Sequence, residues 1–179
     1  IGSDAYIEYE DRAREDVPFI RTSDIVNYEA DIYPDYYVSP DDCAQVKQEV
    51  RPDDIIFTKD GKIGAVGMIV GSDTAVFSSG IEILRVKESA LKAGITPQYL
   101  FVALAVPEVG LYGAKRRAVF ASTIPHLREA RLLDIAIPKM ERSIILKISE
   151  LVSKAFLQKD KRKRLLKANE NIIDDYFKD

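Results

Sequence analysis

Hydrophobic and polar positions follow two regimes that meet near residue 140. Before it, apolar residues come in short runs divided by Gly, Pro, Asp and Ser, the pattern of short strands with tight connections. Val17, Phe19 and Ile20 anchor a first short strand within 17–26. Segment 27–42, rich in Tyr, Asp and Pro, reads as an irregular excursion with solvent-facing aromatics. The most regular β material is 53–59 and 62–70, and Asp60-Gly61 between them predicts a tight hairpin turn, since such turns demand positive φ. Segments 74–79 and 81–86 predict two further strands, set off by Gly71-Ser72-Asp73 and by Gly80. Pro97 near the start of a dense apolar stretch predicts a helix over 96–106. Residues 114–123 place three consecutive bases before an apolar patch, and the alternation in 131–138, ending at Pro138, predicts a last strand.

From Glu141 the period becomes helical. Apolar residues recur at Ile144, Ile145, Ile148, Leu151, Val152, Ala155 and Phe156, and again from Leu165 to Phe177, with no Gly or Pro between 141 and 179. Such a helix would be about 58 Å long at 1.5 Å per residue. That exceeds a small domain, so part of it is expected to project or to lie along a partner, with its apolar stripe covered as in a coiled coil. Ile144, Ile148, Leu151, Ala155, Leu165, Ile172 and Tyr176 are the residues expected to face a partner helix. The basic run 159–164 interrupts the stripe and reads as a solvated face. The expected fold class is therefore α/β (α+β): a mixed, mostly β globular domain over 1–140, then a long helix over 141–179 forming half of a coiled coil.

Composition narrows the chemistry. The 179 residues suffice for one domain with an appendage, and 46% hydrophobic with 31% charged is the balance of a folded protein. No apolar run is long enough to span a membrane, so no membrane partner is expected. The single cysteine, Cys43, excludes an internal disulfide and fits a reducing, cytoplasmic setting. The chain opens on Ile1, which suggests a piece of a longer protein. One His and one Cys leave no zinc cluster of His and Cys. A Ser-His-Asp arrangement could use only His126, near Ser122, and no nucleophile elbow surrounds it; a partly buried, hydrogen-bonding histidine is the plainer reading. Net charge is −3, but residues 1–60 hold 16 acids against 6 bases and residues 61–179 hold 13 against 20. Such asymmetry can mark a partner surface.

The stretch FTKDGKIGAVGMI (57–69) could suggest a phosphate loop. Its glycines have neither the P-loop nor the G-x-G-x-x-G spacing, and β-branched residues follow in place of a helix. An enzyme built on it would need a carboxylate or histidine cluster nearby, and Asp53, Asp54 and Asp60 read as strand-edge and turn residues. No Asn- or Asp-Pro-Pro-aromatic tetrapeptide, the active-site motif of adenine methyltransferases, occurs in the chain. Lys59 and Lys62 straddle the turn, an arrangement that suits a DNA groove or simply an exposed polar turn.

In order along the chain, VPFIRTSDI, DDIIFTKDGKIGAVGMI, GIEILRV, ITPQYLFVAL, ASTIPHLREARLLDIAIP and ISELVSKAFLQKDKRKRLLKANENI resemble one target-recognition unit of a type I restriction-modification specificity subunit. The resemblance runs from about residue 17 to the C-terminus. It implies a non-catalytic domain that reads half of a split double-stranded DNA target. It also implies a long helix that sets the separation from a second recognition unit, or from a second copy in a homodimer. The implied partners are modification (methyltransferase) subunits, which hold S-adenosylmethionine, and restriction subunits, which use ATP; no cofactor is implied in this chain. Members often show a Glu-Gln pair entering the helix, whereas here Arg142 follows Glu141. That departure keeps open a recognition domain fused behind an adenine methyltransferase in one chain. A scaffold whose long helix is its purpose is a more remote reading. On the DNA-binding reading, the candidate contacts are Lys59, Lys62, Lys115, Arg116, Arg117 and Arg21, with Thr58 and Ser122 adding phosphate hydrogen bonds. Arg128 and Arg131 could equally pair with Glu129 or Asp134.

Overall fold

The computed structural model describes residues 5–119 and 125–177. Its elements are β1 (Ile7–Glu8), β2 (Val17–Ile20), β3 (Ile25–Val26), β4 (Glu29–Ala30), β5 (Tyr36–Val38), α1 (Pro40–Gln45), β6 (Ile55–Thr58), β7 (Val66–Met68), β8 (Val76–Phe77) and β9 (Ile81–Leu84). They continue as α2 (Glu88–Lys92), α3 (Pro97–Ala105), α4 (Leu111–Lys115), α5 (Glu129–Leu132) and α6 (Arg142–Phe177). The architecture is mixed α/β, with several small sheets and one long C-terminal helix.

Three sheets run β1-β5-β2-β8, β3-β4 and β7-β6-β9. Strand β6 is central: Ile55, Ile56, Phe57 and Thr58 are all fully buried. Its alternating side chains serve two cores. Ile55 and Phe57 pack with Val66, Met68, Phe101, Leu104, Leu127 and Phe156, while Ile56 packs with Ile20, Ile25, Phe77 and Ile81. A strand covered on both faces reads as an unbroken apolar run, as Ile55-Ile56-Phe57 does.

Three expectations need correction. Segment 27–42 is not simply irregular: it holds β4, β5 and the start of α1, capped by Ser39 through its hydroxyl. Tyr37 is buried, because β5 lies between β1 and β2. Segment 131–138 forms no strand. Leu132 ends α5, Ile135 enters the core, and the extended chain after it is held by the Tyr99 hydroxyl donating to the Pro138 carbonyl. Burial there falls at Leu132 and Ile135, three residues apart, and partly at Ile137, so it follows no two-residue period, and the segment has no ladder partner among the described residues.

The third concerns α6, which packs on its own domain from Ile145 to Glu170. Ile145, Val152 and Phe156 face inward, and Phe156 meets Phe101 edge to face at 5.1 Å. Thr96 and Ser149 share a hydrogen bond of 2.6 Å. Farther along, the basic run is docked in part: Lys159 and Lys163 are covered, while Lys161, Arg162 and Arg164 are exposed. Lys163 is 2% exposed, with its Nζ 2.6 Å from Asp73 and 3.4 Å from Glu29. Lys159 and Arg162 reach Glu29 at 2.9 and 2.8 Å. The Ser72 amide donates to Asp160 at 2.8 Å. Hydrogen bonding from Ser72, and then the Arg164 guanidinium, hold the Asp160 carboxyl below its usual range. Arg12 pairs with Glu170 near the far end. Buried cations persist only beside compensating charge, which Glu29 and Asp73 provide.

The residues expected to face a partner helix lie on a different stripe. Ile144, Leu151, Ala155, Leu165, Ile172 and Tyr176 are exposed and Ile148 is half-buried. Positions 145, 152 and 159 are each one residue on from 144, 151 and 158, so the two stripes stand about 100° apart around the axis. Among the described residues no helix is long and apolar enough to cross a membrane.

Candidate nucleic-acid interface

The connection between β6 and β7 is longer than a two-residue turn. The ladder pairs Phe57 with Val66, and residues 59–65 form a broader loop. Gly61 has φ +61° and Gly64 φ +88°, so both glycines take the left-handed conformation the loop requires. A side chain at Gly64 would collide with Leu111 at 2.8 Å, so the loop rests directly on α4.

Several segments converge on this loop. The Gly61 amide donates to the Pro125 carbonyl at 3.1 Å and the Leu127 amide to the Lys59 carbonyl at 2.8 Å. Bridges join His126 to both Asp60 and Val119, tying the loop to the chain leaving α4. Asp60 also hydrogen-bonds the His126 ring through Nδ1. A Cβ at Gly80 would stand 2.9 Å from Thr22 and 3.3 Å from Asp60, which places the Thr22–Asp24 turn on the same edge. Residues 22–24, 59–62, 80, 115–119 and 125–128 thus form one continuous edge.

The expected contact residues divide sharply. Lys62 is exposed, and its Nζ donates to the Ile25 carbonyl at 3.4 Å. Lys115 and Arg116 are exposed at the end of α4, and Arg116 Nε donates to the Tyr112 carbonyl at 3.1 Å. None of these three has a carboxylate partner among the described residues. Arg128, also exposed, is in the same condition.

The others are engaged. Lys59 is ion-paired with Glu82 at 2.6 Å. Glu82 faces Phe57 across the ladder, so Lys59, two residues on, reaches it diagonally. Arg117 joins α4 to the later chain by donating to the carbonyls of Gly113 and Asp134, each at 3.0 Å. Arg21 pairs with Asp24 and Asp35 and lies over the Tyr36 ring at 4.5 Å. Burial opposes its charge, but the hydrogen bonds to Asp24 and Asp35 outweigh this and hold its pKa above the ordinary value. Thr58 is 0% exposed: its hydroxyl accepts from the Ala65 amide at 2.8 Å and donates to the Lys62 carbonyl. Thr58 therefore shapes the loop from within and is not available at the surface. Arg131 stands 3.7 Å from Asp134. Ser122 lies outside the described residues.

Sequence reasoning missed the Asp60–His126 pair, and for Arg128 it left a salt bridge and an open position equally in view. The only histidine, following the Pro125 break, was the signal for that pair. The three aspartates around 53–60 do not converge. Asp54 holds Arg85 at 2.7 Å, Asp53 accepts from Gln98 at 3.1 Å, and Asp60 turns to His126.

No family model matches the chain, and no curated protein matches it. Among solved structures, the chain is similar to one from a structure describing complex assembly and conformational transition of the type I R-M (restriction-modification) system. The TM-score is 0.52 at 14% identity, and the match covers 97% of this chain and 39% of that one. The fold, including the long helix, is thus shared with a component of a restriction-modification complex. The chain spans about two fifths of that neighbour's length.

Proposed function

We propose that this chain is the sequence-specific double-stranded DNA recognition module of a type I restriction-modification system. It carries no catalysis itself. It directs adenine methylation by modification subunits, which bring S-adenosylmethionine, and cleavage by restriction subunits, which bring ATP. The observation that carries the reading is that Lys62, Lys115, Arg116 and Arg128, all exposed and without carboxylate partners among the described residues, lie on or next to segments tied to the 59–65 loop, in a fold shared with a restriction-modification component.

The mechanism follows from chemistry that these side chains can perform. Lysine and arginine neutralise phosphates and release counterions, which supplies affinity and orientation. The 59–65 loop, stiffened by Thr58, the Asp60–His126 pair and Leu111 beneath Gly64, presents its tip to a groove without first having to order. The exposed stripe from Ile144 to Tyr176 faces a second recognition unit or a second copy, and so sets the distance between two half-sites.

The test is a salt series of duplex-binding titrations on the chain and on a Lys62→Ala/Lys115→Ala/Arg116→Ala variant. The reading expects binding whose log-log salt slope falls in magnitude by about one for each lost phosphate contact. Equal slopes for the two proteins would remove this edge from the interface.

A further inference from the structure

Backbone hydrogen bonds already hold the 59–65 loop against the chain around His126. The Gly61 amide donates to the Pro125 carbonyl and the Leu127 amide to the Lys59 carbonyl, while Val119 and His126 exchange both of their amide bonds, at 2.8 and 3.1 Å. The side-chain contact between Asp60 and His126 is therefore not needed to join these segments. It also lies in the open, with the imidazole 51% and the Asp60 side chain 31% exposed, where an ion pair adds little stability. What the contact fixes is the ring. A carboxylate accepts and does not donate, so Asp60 places the proton of the neutral imidazole on Nδ1, the atom it touches. Nε2 is left as a lone-pair acceptor, and among the described residues it has no hydrogen-bond partner.

The exposed cations tied to this loop, Lys62, Lys115, Arg116 and Arg128, can only donate. They suit phosphates and the acceptor edge of guanine. An exocyclic amino group on a base needs an acceptor instead, and His126 Nε2 supplies one. Val119 stands opposite His126 in their bridge and is 43% exposed. Opposite residues of an antiparallel pair put their side chains on one face, with Cα atoms about 5.5 Å apart when both amide bonds are exchanged. The face thus offers an acceptor beside an apolar side chain. An adenine–thymine pair offers the complement in the major groove: the N6 amino group of adenine and the methyl group of thymine.

We propose that His126, with Nδ1 held by Asp60, accepts a hydrogen bond at Nε2 from the N6 amino group of an adenine in the major groove, with Val119 against the methyl of the paired thymine. This rests on the proposed duplex recognition and names one of its base contacts. Asp60 is a positioning residue, since it acts through the ring it orients.

The test rebuilds the duplex that the chain enriches from a random library. Each adenine in turn is replaced by purine, which lacks the amino group, and each thymine by uracil, which lacks the methyl. Every duplex is titrated at about pH 8, where an ordinary imidazole is neutral, against the chain, His126→Phe, Asp60→Asn and Val119→Ala. The proposal expects one adenine whose amino group is worth about tenfold in affinity to the unaltered chain and nothing to His126→Phe. Asp60→Asn should lose the same dependence, because its amide can donate to Nδ1 and move the ring proton to Nε2. A purely structural role for Asp60 would instead weaken binding to all the duplexes alike. Removing the methyl of the paired thymine should weaken binding by the chain and leave that of Val119→Ala unchanged; equal losses would overturn the Val119 contact. Thermal melting checks that the three variants fold. If each purine substitution affects the chain and His126→Phe equally, the adenine contact is overturned, and salt-dependent binding by both proteins leaves the duplex-recognition reading standing. If the chain enriches no duplex, that reading falls and the base contact with it.

Discussion

Lys59 and Lys62 sit on the same loop but do different work. Lys59 is half-buried against Glu82, so its replacement leaves a carboxylate without its cation, whereas Lys62 is exposed and joins Lys115, Arg116 and Arg128. Lys59→Ala is therefore expected to lower stability in denaturant titration more than Lys62→Ala does, and Lys62→Ala to weaken DNA binding more. Thr58→Val keeps the volume but leaves the Ala65 amide unbonded. It should cost about 1–3 kcal/mol in the same titration. Burial also pushes the Tyr37 hydroxyl up to about 12. A phenol whose folded pKa is raised favours folding fully below its unfolded value, near 10, and loses that advantage as pH rises toward about 12. Circular dichroism across that window should show a weaker alkaline loss for Tyr37→Phe. At this scale the sequence identified cations but not their partners. Glu82 and Asp24 lie at distances set by strand register and turn geometry, which composition does not reveal.

Among elements, α6 was the most legible and the most misread. Its helical period and its start next to Glu141 were plain, because no Gly or Pro breaks a periodic stretch. Its docking was not, because a run of Lys and Arg looks solvated until Glu29 and Asp73 are brought against it from elsewhere in the chain. Phe156→Ala should cost about 3–5 kcal/mol by opening the core beside Phe101. Leu157→Ala, on the exposed side, should stay within about 0.5 kcal/mol. Lys163→Ala leaves Asp73 buried without its cation and should cost about 3–5 kcal/mol. Denaturant midpoints of the three variants check this ordering. The 131–138 segment failed because the apolar residues that read as alternating are not buried in alternation: Leu132 and Ile135 enter the core while Leu133 is exposed.

For the whole molecule, the split between an acidic first third and a basic remainder closes partly within the fold. Glu29 takes Lys159, Arg162 and Lys163, and Asp54 takes Arg85. The charge left over is therefore more informative than the net value of −3. It is basic at Lys62 and, later in the chain, at Lys115, Arg116 and Arg128. The mixed α/β class with a long terminal helix was readable from the change of period near residue 140. The convergence of 22–24, 59–62, 115–119 and 125–128 was not, since it depends on long-range pairing. The most direct measurement is fluorescence anisotropy of a duplex enriched from a random library by this chain, titrated from 50 to 200 mM salt beside a scrambled duplex. The account predicts tighter binding to the enriched duplex, with affinity falling linearly in log salt and the slope reduced by about one for each of Lys62, Lys115 and Arg116 replaced by Ala. No enrichment, or binding indifferent to salt and to all three substitutions, would contradict it.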